Sequence, residues 1–213
     1  MPCMFWLARK FADPALSDAE HVVVSQDHAS PEHVIWYVPP SGNISYPWEE
    51  DRLFRGQVPV AVFRSTWGDR RALFVGVKAG FNQVNHGHLD LGNFEIDAQG
   101  VRWALDLGSD DYNLPGYWDK KRGGRRWSYY RLNSHSHNVL LINDKDQDPY
   151  AVAEVLKFHS EESSAYVQID LTSAYKAFAR RVIRGVALVG DRHAVLVQDE
   201  IALIAPSDVA WGM

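Results

Sequence analysis

The feature that most constrains this chain is its punctuation. From residue 22 onward, short runs of β-branched and aromatic residues alternate with clusters of Pro, Gly, Asn and Asp. The runs fall at 22–24, 33–38, 58–64, 72–78, 94–97, 101–106, 138–142, 164–171, 178–189 and 194–204. Runs of that length and spacing suit antiparallel strands joined by turns. The expected fold is therefore mainly β, an antiparallel sandwich. Helix is expected only at the start, where residues 5–11 form an amphipathic stretch closed by Asp13-Pro14, with a further turn over 16–20. Residues 97–100 and 189–192 read as hairpin turns, each with a glycine for the positive φ such turns need. Pro39-Pro40-Ser41-Gly42-Asn43 and residues 116–124 are longer irregular loops, of the kind that carry sites on a rigid sheet.

Composition narrows the function. With 46% hydrophobic residues, the 213-residue chain can bury one sizeable core. A net charge of −5 argues against a surface built to hold nucleic acid. Cys3 is the only cysteine, so an intramolecular disulfide and a cysteine-rich zinc site are both excluded. A metal, if bound, must be held mainly by His, Asp or Glu. No apolar run approaches the ~20 residues needed to cross a bilayer, and residues 1–7 lack the pattern of a signal peptide. Membrane insertion is therefore not expected. Residues 201–211 read as strand, turn and the start of another strand, so the chain is expected to be cut inside a domain.

Two histidine clusters carry the chemistry. In Asn85-His86-Gly87-His88-Leu89-Asp90, an extended backbone would turn His86, His88 and Asp90 to one face. A second alternating pair lies in His135-Ser136-His137-Asn138, and Asp106 ends an apolar strand between the two. Two imidazoles and one carboxylate, with a fourth position left for water, make a zinc site. The spacing leaves open which histidine of each pair is used, and a partly exposed strand face is the competing reading.

Residues 119–126, Asp-Lys-Lys-Arg-Gly-Gly-Arg-Arg, reverse the sign of the acidic chain around them. With Trp118, Trp127, Tyr129, Tyr130 and Arg131 they combine cations and aromatic faces, which suits an anionic sugar chain. A solvated loop is the alternative. Tyr112 and Tyr117 lie between Asp106 and His137, and a phenol near a metal or cation can act as acid or base.

The ordered set Lys78-Ala79-Gly80, Asn85 to Phe94, Trp103-Ala104-Leu105-Asp106-Leu107-Gly108, Tyr112, Tyr117, Tyr130-Arg131 and His137-Asn138 resembles the heparinase II/III-like polysaccharide lyases. The likeness is good over about residues 58 to 150 and loose elsewhere. It implies an α/α toroid followed by a large β-sandwich of supersandwich type, with residues 1–20 as the last helical piece of the toroid and 21–213 as an incomplete sandwich. It implies a structural zinc on His88, Asp106 and His137, with Asp90 as a supporting group. His86 then corresponds to the catalytic histidine, Tyr112 or Tyr117 to a proton donor or recognition group, and Arg126, Tyr130 and Arg131 to substrate-binding residues. The reaction implied is β-elimination on a uronic-acid-containing polysaccharide, glycosaminoglycan or alginate, by a periplasmic or secreted protein. Further catalytic residues of the family stand on toroid helices with no counterpart here, so this chain alone is expected to be inactive. Two other readings stay open: a cupin-like metal-binding jelly roll, whose second motif is missing, and a non-catalytic carbohydrate-binding sandwich.

Overall fold

The computed structural model describes residues 3–26, 29–42 and 49–213. Met1, Pro2 and Asn43, which entered the readings above, lie outside the described residues. The chain forms two compact units, Met1–Glu49 and Glu50–Met213. No helix among the described residues is long and apolar enough to cross a membrane.

Among the described residues, the first unit holds three helices, α1 (Cys3–Phe11), α2 (Pro14–Gln26) and α3 (Pro31–Ile35). Phe5 of α1 is buried against the rings of His21, His33 and Tyr37 at 4.9–5.9 Å. Buried Glu20 meets His33 Nε2 at 2.8 Å, and Asp18 accepts from the Ser41 amide and hydroxyl. Two strand expectations fail in this unit. Residues 22–24 continue α2, because the low intrinsic helix preference of valine is a small effect that an existing, packed helix overrides. Residues 33–38 were also expected as strand, but Pro31 opens a helical turn there and the Ser30 amide donates to His33 Nδ1 at 2.8 Å. The boundary drawn at residue 20 falls inside α2.

The second unit is a sandwich of antiparallel sheets. One sheet has the order β1-β2-β3-β5-β6, from β1 (Arg52–Phe54), β2 (Val60–Arg64), β3 (Phe74–Lys78), β5 (Phe94–Ala98) and β6 (Val101–Ala104). The other is β11-β10-β9-β8-β4, from β4 (Gly80–Phe81), β8 (Val152–Glu161), β9 (Ser164–Asp170), β10 (Ala179–Val189) and β11 (Ala194–Leu203). A two-stranded piece pairs β7 (Leu140–Ile142) with β12 (Val209–Trp211), and a helical turn, α4 (Thr172–Tyr175), precedes β10. Strand alternation builds the core: Ala61 and Phe63, Val75 and Val77, and Val167 and Ile169 point inward from their strands. The rings of Phe63 and Phe158 stack at 5.7 Å.

The expected hairpin turns are present, with Gln99 and Gly100 at positive φ in one and Gly190, Asp191 and Arg192 in the other. β8 was not foreseen. Its inward positions change parity, from Ala153 and Val155 to Phe158, across a register shift between Val155 and Lys157, so no single alternation runs through it. Gly80 marks the crossing from the first sheet to the second. Its φ is +103°, and a Cβ there would lie 2.6 Å from the Gln57 carbonyl oxygen.

One buried cation ties the second sheet to the loops above it. Arg184 of β10 is fully buried, pairs both Asp199 oxygens at 2.8 and 2.7 Å, and donates to the carbonyls of Gly92 and Asn138 at 2.9 and 2.7 Å. Replacing it leaves the Asp199 carboxylate without its countercharge, with the Trp211 Nε1 donation at 3.0 Å remaining, and removes the side-chain donor from two carbonyls. Arg184→Met should destabilise the chain by about 3–5 kcal/mol, or roughly 6–20 °C in Tm for a chain of this size. Thermal unfolding followed by circular dichroism checks this, and a shift under about 2 °C would contradict the assigned role.

Candidate metal centre and the groove beside it

The segment between β4 and β5 is a series of turns, so the expected one-sided strand is corrected. His86 takes a left-handed φ of +59° and is exposed, whereas His88 and Asp90 turn inward and are buried. A Cβ on Gly87 would lie 2.5 Å from the Asn82 carbonyl oxygen, so the chain can reverse there only with glycine. The second alternating pair is likewise not extended. Residues Ser134–Ser136 form a 3-10 turn that leaves His135 exposed beside Asp144 and Asp146 and buries His137.

Side chains fix the His86–Asp90 loop. Arg126 donates to the Gly87 carbonyl at 2.9 Å, Ser134 Oγ to the Leu89 carbonyl at 2.7 Å, and the Leu89 amide to the Leu132 carbonyl. Gln147 then holds Leu91 from both sides. Its Oε1 accepts from the Leu91 amide and its Nε2 donates to the Leu91 carbonyl, each at 2.9 Å. The Tyr175 hydroxyl accepts from the same Nε2 and passes the chain of hydrogen bonds to the Leu140 carbonyl.

His88, Asp90, Asp106 and His137 converge, with one ligand-capable atom of each within 4.8 Å of the others. This cluster could hold a metal ion. Asp106 Oδ2 is the shared node: it accepts from Asn93 Nδ2 at 2.8 Å and lies 2.9 Å from His137 Nδ1. His137 Nε2 is buried with no hydrogen-bond partner among the described residues, as suits an imidazole nitrogen whose partner is an ion. Asp90 is engaged from its other side by Lys78 Nζ, at 2.5 and 2.7 Å from its two oxygens.

The protonation states suit ligation. Burial lowers the His88 pKa to about 4, with the Asp90 charge opposing it, so the imidazole is neutral at neutral pH. Burial pushes Asp106 up, but the hydrogen bond and charge of His137, the Gly108 amide and His88 together outweigh it and hold the carboxyl down at about 2. Metal ligands must be deprotonated, and both are.

Beside the cluster lies a cavity of about 400 Å³ lined by His86, His88, Asp106, Lys78, Val62 and Phe74 among others. His86 extends into an aromatic wall. Its ring centroid is 5.6 Å from both Tyr112 and Trp118, and Tyr117 packs against them, tilted and edge-on, at 5.1 and 5.0 Å. Tyr112 is 46% exposed and Tyr117 only 1%, so Tyr117 builds the wall and is not free to meet a substrate. Arg126 is also corrected. It is fully buried, with its guanidinium 4.5 Å from the Tyr117 ring and its donors on the Gly87 and Tyr117 carbonyls, so it positions the loop and cannot contact a sugar.

Other members of the basic run are committed too: Lys120 donates to the Val84 carbonyl and Arg122 pairs with Asp148. Tyr130 stays exposed, and Arg131 donates to the Leu107 carbonyl at 2.6 Å. Asn93, Asn138, Gln147 and Lys78 received no role from the sequence. Asn93 and Asn138 stood inside the motif, but amides that serve backbone groups leave no spacing signature.

The chain matches the family model described as "Heparinase II/III-like, C-terminal" over residues 61–212. Among solved structures, it resembles a heparan sulfate lyase HepC from Pedobacter heparinus with a TM-score of 0.68 at 16% identity, covering 97% of this chain and 28% of that one. A heparinase III described as the BT4657 gene product gives 0.62 at 24% identity over 78% of this chain and 24% of that one. A further heparinase III gives 0.53 at 18% identity over 68% of this chain. The chain thus spans about a quarter of the length of these neighbours. No curated protein matches it. The match over most of the sandwich, with the His and Asp cluster inside it, places this chain in the heparinase II/III-like C-terminal family.

Proposed function

We propose that this chain is the β-sandwich part of a polysaccharide lyase that cleaves a uronic-acid-containing polysaccharide by β-elimination. The observation that carries this reading is the exposed His86 beside Tyr112 on an open cavity, with a buried ligand cluster directly behind it. The helical unit is read as the last piece of a toroid, and the protein as exported to the periplasm or beyond. The structures it resembles are titled as heparinases and a heparan sulfate lyase, which supports an anionic polysaccharide as substrate.

In the elimination, the hydrogen on the carbon beside the uronate carboxylate leaves as a proton. Its electron pair forms the carbon–carbon double bond while the bond to the glycosidic oxygen breaks, and that oxygen takes a proton from an acid. His86 is the base and Tyr112 the proton donor. Tyr130 and Arg131 border the sugar. Zinc would be held by His88, Asp106 and His137 and would supply a fixed positive charge that orders the histidine loop.

In its natural full length, the protein should generate the ultraviolet absorbance of an unsaturated uronate from uronate polysaccharide. Hydrolytic products would contradict the proposal. His86→Ala should cut that rate by about 10²–10⁴-fold with metal content unchanged, whereas His88→Ala should lower both metal content and Tm. Metal analysis alongside the rate assay separates the two.

The metal-free chain should also lose stability as pH falls from about 6.5 towards 4. Unfolded His88 takes up its proton near 6.5, while the folded state resists until about 4, so acid favours unfolding across that window. Asp106 stays ionised until about pH 2 and keeps its contribution there. His88→Gln should flatten the pH dependence of Tm between 6.5 and 4, and an unchanged slope would contradict the assignment.

A further inference from the structure

Lys78 stands at the end of β3, and its backbone is laddered to the site loop. Its amide donates to the Asn93 carbonyl and its carbonyl accepts from the Gly92 amide, both at 2.9 Å. The side chain therefore starts from a fixed root. Its ammonium bridges both oxygens of Asp90, which is 4% exposed and belongs to the same cluster of ligand-capable atoms as His88, Asp106 and His137.

Four protein ligands would close a zinc site. Three leave a position open. A buried carboxylate with no countercharge would be drawn to a nearby dication, whereas one already held by an ammonium has its charge satisfied. Resting on the metal reading above, we propose that Lys78 keeps Asp90 off the ion, so that the fourth coordination position stays open to water or a small anion entering from the groove. The groove is wide enough for such a visitor, and it is lined by Lys78, Asp90, His88 and Asp106 themselves. Lys78 is on this view a positioning residue that sets the coordination number.

The test uses the 213-residue chain loaded with Co²⁺, whose visible spectrum reports its ligands, and azide as the small anion. Azide should change the spectrum of the wild-type chain. Lys78→Met should release Asp90 onto the ion, abolish the azide response, and slow cobalt loss to a chelator at least about tenfold. Lys78→Arg should behave as wild type. The double variant Lys78→Met/Asp90→Asn, which removes both charges and so spares folding, should respond to azide and hold cobalt within about threefold of wild type. A wild-type spectrum blind to azide would overturn the proposal, as would a double variant whose cobalt affinity drops tenfold or more, because Asp90 would then be a ligand already. An azide response retained by Lys78→Met would overturn it as well. A wild-type chain that takes up no cobalt would bring down the metal reading itself, and this proposal with it.

Discussion

Asp106 Oδ2 is the atom on which the site depends. It accepts from Asn93 on one side and meets His137 on the other, while Asn93 Oδ1 accepts from the Asn138 amide and Asn138 Nδ2 donates to the Phe94 carbonyl. Three stretches of chain, the lead-in to β5, the exit from β6 and the lead-in to β7, are thereby held to one carboxylate. Such a node is costly to leave half-made, since a buried acceptor without donors loses its hydration and gains nothing in return. It therefore fixes where His137 points and what remains for His88 and Asp90 to face.

The second support is a pair of buried guanidiniums. Arg184 reaches up from the second sheet to Gly92 and Asn138 at the edges of the node, and Arg126 reaches across to Gly87. Arg126 spends its hydrogen bonds on carbonyls and its face on Tyr117. A cation in that position links the His86 turn to the aromatic wall, so the two halves of the proposed catalytic surface share one anchor.

Much of this was legible in the residues because inward alternation and ligand chemistry leave patterns. Phe63, Val75, Val167 and Val186 mark their strands, and His88, Asp106 and His137 are residue types with few structural reasons to meet. The geometry inferred for them was nonetheless wrong. An alternating His pair suggested a strand, whereas Gly87 and a left-handed His86 make a turn that separates the pair, one histidine outward and one inward. The basic run misled in a similar way. Charge is visible in a sequence, but burial is not, and Arg126 is spent inside the fold. β8 and the second half of α2 were missed, the one because a register shift changes which positions face inward, the other because its valines read as strand.

Gln147 gives the site loop an unusual property. Its carboxamide offers Leu91 the same donor and acceptor that a neighbouring strand would, so a stretch of turn is laddered as if it were sheet. Protection from hydrogen exchange follows hydrogen bonding and the cost of local opening, not the name of the element. The Leu91 amide thus belongs with the slow-exchanging strands of the sandwich, although it lies in a stretch of turn.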